Sequence, residues 1–111
     1  MEKIKTTDIG GEIIKDNSQY LLKDNKTLND LIVSSTFLHA NQFTNGHSHK
    51  DQEEVYIFTK GEGEMQIDDK RFSVKDGDIV LVEKGEFHKV FNTSDIGLLF
   101  VCVFQGKRNH K

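Results

Sequence analysis

The chain has 111 residues, with 15 basic against 18 acidic side chains and a formal net charge of −3, so it is one small domain with no room for a separate cofactor module. Its 30% charged and 35% hydrophobic content is that of a globular chain rather than a disordered one. Mild acidity without a basic block excludes nucleic acid as the natural partner, and the longest apolar run, Leu98–Phe104, is far too short for a membrane span.

Residues 1–30 open without the apolar stretch of a secretory signal, which points to the cytoplasm. They contain two expected edge strands of the same domain, Glu12–Lys15 and Tyr20–Leu22, with Asp24-Asn25-Lys26 as a turn. From residue 31 to 105 Gly, Asn and Asp punctuate the chain at short intervals. The segments between them predict strands at Leu31–Leu38, Glu54–Thr59, Gly63–Ile67, Arg71–Val74, Asp78–Glu83, Phe87–Asn92 and Leu98–Phe104, rich in Val, Ile and Phe. No helical stripe competes with them, so the fold class is all-β, a sandwich or barrel of short antiparallel strands. Glu62, Glu64, Asp68 and Asp69 read as solvated turn charges. Residues 106–111 form a basic tail, a solvated end that includes His110.

Two strands, Val55–Phe58 and Ile79–Val82, are apolar on both faces. Such strands are covered on both sides. One side is the barrel interior and the other a neighbouring segment or a second subunit, so a homodimer is expected. The lone Cys102 has no partner for an intrachain disulfide or a Cys-x-x-Cys pair and reads as a core residue.

The chemistry lies in the histidines. In an extended chain residues i and i+2 point the same way, so His47 and His49 can present two imidazoles to one interior point. Glu54 opens the next strand and shares a face with Tyr56 and Phe58. An interior carboxylate beside aromatic groups is costly unless paired or coordinated, and a divalent cation resolves that cost. His88 lies on a further apolar strand from which a fourth ligand can face inward. His39 reads as an ordinary core or surface histidine.

The stretch His47-x-His49-x4-Glu54-x6-Gly61, followed by Gly77-x5-Glu83-x-Gly85-x2-His88-x3-Asn92, resembles the two motifs of the cupin superfamily. The resemblance implies a small single cupin double-stranded β-helix, a jelly-roll barrel, with metal ligands His47, His49, Glu54 and His88. Glu53 competes with Glu54 for the carboxylate position; the spacing to Gly61 favours Glu54 and leaves Glu53 facing solvent. Two positions depart from the family pattern. Asn41 stands where the pattern opens with Gly and must tolerate a positive φ. Glu83 stands where the second motif has Pro, in a chain with no proline at all, which should loosen the loop Glu83–Glu86.

Three imidazoles and one carboxylate suit Mn, Fe, Co, Ni, Cu or Zn. One carboxylate against a dication leaves about one positive charge, which favours an anionic or chelating small-molecule ligand. Expected pocket walls are Gln42, Phe43, Tyr56, Phe58, Met65 and Phe100. The resemblance implies activities that range from sugar and sugar-phosphate isomerases to dioxygenases, with Glu54 and Tyr56 as the acid–base candidates. It also includes non-catalytic modules in which a metal organises a binding pocket.

Overall fold

Short alternating segments separated by Gly, Asn and Asp become nine strands in a computed structural model that describes residues 1–106. The tail 107–111, His110 included, lies outside the described residues. The strands are β1 (Glu12–Asp16), β2 (Tyr20–Asn25), β3 (Leu31–Leu38), β4 (Glu54–Lys60), β5 (Glu62–Ile67), β6 (Lys70–Lys75), β7 (Ile79–Val82), β8 (His88–Phe91) and β9 (Leu98–Gln105). No helix long and apolar enough to cross a membrane occurs among the described residues.

The strands form a six-stranded sheet, β1-β2-β3-β9-β4-β7, and a three-stranded sheet, β6-β5-β8, with every pairing antiparallel. Alternation assigns one face of each strand to the interior. Tyr20, Leu22, Leu38, Phe58, Leu98 and Phe100 of the large sheet meet Met65, Val74 and Val90 of the small one in a single core. The expected strands from Leu31 onward match the observed ones to within a residue or so at each end.

The amino-terminal region differs from expectation. β2 is flanked by β1 and β3, so it is internal rather than an edge, and it runs through Asp24 and Asn25 instead of turning there. Both side chains are buried, at 1% and 6% exposure. The Asn25 amide donates to the Ile9 carbonyl at 2.6 Å and to Glu2 at 2.8 Å, while its oxygen accepts from the Thr27 backbone N–H at 3.0 Å. These bonds satisfy a polar side chain at a buried strand end, where composition alone reads as a turn.

Asn41 adopts φ 61°, the left-handed conformation that its place in the pattern requires. The loop after β7 is closed by hydrogen bonds instead of a proline. The Glu83 N–H donates to the Glu86 carboxylate at 2.8 Å and the Glu86 N–H to the Glu83 carbonyl at 3.2 Å. Proline at residue 83 could not supply that first donor.

On the outer face of the large sheet, Ile79 and Leu81 are 60% and 71% exposed. They pair with Ile57 and Val55 of β4, which are half-buried. The apolar outer face of β7 is therefore uncovered among the described residues.

Asn92, 2% exposed, ties three loops together. Its amide nitrogen donates to the carbonyls of Leu38, His39 and Ile96 at 3.0, 3.1 and 2.7 Å, and its oxygen accepts from the Ser94 N–H and hydroxyl at 3.0 and 2.9 Å. Replacement by alanine removes all of these bonds at once and leaves the buried Leu38 carbonyl without this donor. Asn92→Ala is expected to cost about 3 kcal/mol and to lower the thermal midpoint by roughly 10–20 °C, as read by calorimetry or circular dichroism.

Candidate metal centre

Backbone pairing brings the histidines together. His47 and His88 form an isolated antiparallel bridge, the His47 N–H donating to the His88 carbonyl at 3.2 Å and the reverse bond measuring 2.9 Å. The Gly85 N–H donates to the His49 carbonyl at 2.7 Å, which fastens the second histidine to the loop that leads into β8. Gly46 permits this approach, since a Cβ there would lie 2.0 Å from the Phe87 ring. Glu54 arrives from the other sheet as the first residue of β4. It shares the buried face with Tyr56 and Phe58, while Glu53 is exposed, so the carboxylate at the centre belongs to Glu54.

His47, His49, Glu54 and His88 each bring one donor atom, and these atoms lie within 4.8 Å of one another. Glu54 Oε1 is 3.4 Å from His49 Nε2 and 3.5 Å from His88 Nε2. The ring centroids of His47 and His88 are 4.6 Å apart, and those of His47 and His49 are 4.9 Å apart. Ligand bonds of about 2.0–2.2 Å to one ion place its donors about 3–4 Å from each other. The observed spacing suits a single shared ion.

The state of the rings agrees with that role. His88 Nδ1 lies 3.1 Å from the Glu86 carbonyl oxygen. A carbonyl only accepts, so Nδ1 carries a proton, and the buried Nε2 is the ring atom left to face the centre, 3.5 Å from Glu54 Oε1. Burial lowers the His47 pKa to about 4, helped by the neighbouring His88 and His49 and opposed by Glu54 and by a hydrogen bond to the Asn45 backbone. His47 is therefore neutral at pH 7, the form that binds metal. The four residues make a mixed nitrogen and oxygen set that could hold a transition metal ion.

A cupin-domain family model matches residues 37–104, which include all four of these residues. The chain belongs to the cupin family.

Among curated proteins, this cupin is 33% identical to the oxalate-binding protein of Thermotoga maritima over 57 residues, 51% of this chain and 47% of that one. It is 27% identical to the glucose-6-phosphate isomerase of Pyrococcus abyssi over 104 residues, 82% of this chain and 55% of the relative. An uncharacterized protein of Methanocaldococcus jannaschii matches at 31% over 65 residues, 59% and 52% of the two chains. The chain thus spans about half the length of the curated relatives it matches. Among solved structures, KdgF from a Halomonas species superposes with a TM-score of 0.78 at 13% identity over 88% of both chains. A predicted oxalate decarboxylase from Thermotoga maritima gives 0.75 at 21% identity over 94% and 98%. At those identities the likeness establishes the fold.

Beside His47 and Glu54 the cupin barrel holds a cavity of about 60 Å³ that opens toward solvent. Of the expected walls, Tyr56 and Phe100 line it. The others do not: Phe58 and Met65 are 1% and 0% exposed in the packed core. Phe43 is on the surface at 45% exposure beneath the Lys89 ammonium, and Gln42, whose main chain pairs with His39 and Asn92, is not among the lining residues. His39 packs edge-on against Phe37, away from the cluster. In their place, Tyr20, Leu22, Ser34, Thr36, Thr44, Cys102 and Phe104 line the cavity. The signal for the β2 and β3 members was the alternation itself, since Tyr20 and Leu22, and Ser34 and Thr36, occupy the i and i+2 positions of inward faces.

Because the unfolded chain protonates a histidine near pH 6.5 and the folded chain protonates His47 only near 4, the unfolded state binds more protons between these values. The metal-stripped protein should lose stability as pH falls from about 6.5 toward 4. Thermal melts across that range should show the loss, with a shallower slope in His47→Gln.

Proposed function

We propose that this cupin holds one divalent transition metal ion, drawn from Mn, Fe, Co, Ni, Cu and Zn, on His47, His49, Glu54 and His88, and uses it to bind and transform a small oxygen-rich metabolite in the barrel. The observation that carries the reading is the buried convergence of four donor atoms within 4.8 Å, with the His88 tautomer held in the ligating form. When bound, the ion supplies Lewis acidity that polarises a carbonyl or hydroxyl oxygen. Isomerisation fits this setting ahead of oxidation. Tyr56, 6% exposed and 5.7 Å from the His88 ring between centroids, offers a phenol to a ligand oxygen. Glu54 can take a proton only by leaving the ion, so it serves first as a ligand.

A second reading, a binding module without turnover, is favoured by one observation. Among the described residues lining the cavity, Glu54 is the sole carboxylate, so no separate acid–base pair accompanies the ligands. The relative named as an oxalate-binding protein accords with that reading.

Elemental analysis of protein purified without chelator should find about one metal per chain, reduced to background in the His47→Ala, His49→Ala double variant. Aerobic and anaerobic assays of the loaded protein against sugars, diketones and hydroxy acids then separate the readings: turnover supports the enzyme, and binding without turnover supports the module.

The protein is further proposed to act as a cytoplasmic homodimer through the outer face of β7 and β4, where Ile79 and Leu81 stand exposed beside Ile57 and Val55. Burial of that patch supplies the drive for association. Leu81→Lys should convert the dimer to monomer in light scattering, with metal content unchanged.

A further inference from the structure

The wall facing the metal ligands is hydroxylic and apolar but carries no positive charge. Ser34, Thr36 and Thr44 present hydroxyls, and Leu22, Phe100 and Phe104 present carbon. Among the described residues lining the cavity none is Lys or Arg, and at the mouth the exposed Asn45 brings an amide rather than a charge. Ser34 and Thr36 are 2% and 7% exposed. They are held by strand register, Ser34 opposite Cys102 and Thr36 opposite Phe100. The Thr44 hydroxyl oxygen accepts from the Val90 N–H at 2.9 Å, so its own proton is directed elsewhere.

These features restrict the ligand by charge. Among the described residues lining the cavity Glu54 is the one carboxylate, and against it a dication retains about one positive charge, enough for one carboxylate. A phosphate monoester carries about −1.5 to −2 at neutral pH. Placed against aromatic rings and hydroxyls it would lose its hydration without gaining a counter-charge.

We propose that the ligand is a small unphosphorylated hydroxy or keto acid, its carboxylate end at the His47, His49, Glu54 and His88 cluster and its neutral end against Thr36 and Thr44. This rests on the metal-binding reading above and narrows it, separating the chain from any role on sugar phosphates.

The decisive comparison is glycerate against 3-phosphoglycerate, which share a chelating head and differ by the phosphate. In calorimetric titrations of the Mn(II)-loaded protein, glycerate is expected to bind at least tenfold more tightly. Thr36→Val, nearly isosteric, should weaken glycerate several-fold while metal content stays the same. Equal or tighter binding of 3-phosphoglycerate overturns the proposal, as does failure of both acids to bind the loaded protein. Unchanged glycerate affinity in Thr36→Val overturns the placement of the neutral end. Failure to retain metal at all is a different result: it removes the metal-binding reading itself, and this inference with it.

Discussion

A carboxylate and three imidazoles packed into a protein interior are a liability to folding. Glu54, His49 and His88 are 4%, 7% and 2% exposed, and each has given up most of its water. Burial of this kind is tolerated when the groups share a counter-charge or complete one another's bonding. The rest of the barrel is arranged around that requirement. Depressed basicity at His47 keeps one ring neutral, the Glu86 carbonyl selects the His88 tautomer, and the inner face of β4 delivers the one negative charge.

Most of the positioning is done by backbone. His47 and His88 exchange main-chain hydrogen bonds, and His49 accepts one from Gly85, so three imidazoles are mounted on segments already joined to one another. Side chains fixed this way would lose little freedom on taking up an ion, which is the condition for a precise site. The Glu83–Glu86 turn belongs to the same arrangement. Its closing donor is an N–H, so the chain gains by hydrogen bonding what a proline ring supplies by covalent constraint.

The legible parts of the sequence were those governed by alternation and fixed offsets. The i, i+2 relation marked His47 and His49 as a pair, Glu54 fell on the face of Tyr56 and Phe58, and the strand boundaries followed the Gly and Asp turns. Asn41 carried its own conformational signal, confirmed by φ 61°. What alternation does not encode is depth. Phe58 and Tyr56 share an inward face, yet Tyr56 lines the cavity and Phe58 is sealed in the core. Phe43 was aromatic and close in sequence to the ligands, but its segment runs along the surface. Asp24 and Asn25 read as a turn because their burial depends on partners distant in sequence, such as Ile9 and Glu2. The hydroxyl wall escaped notice for a related reason, since Ser and Thr in a strand look like solvent-facing residues until a second sheet closes over them.

The two sheets contribute unequally to the cluster. Glu54 stands on the six-stranded sheet, while His88 stands on the three-stranded one and holds His47 beside it. An ion gripped by all four would therefore be a rivet through the sandwich, joining layers that otherwise meet through side-chain packing and loops. Such a fastener acts on the whole fold as a reversible cross-link does, and its strength follows the supply of free metal. With such an ion the rigidity of the barrel would become a quantity that the surroundings set, and loading and unloading it would tighten and slacken the walls of the cavity.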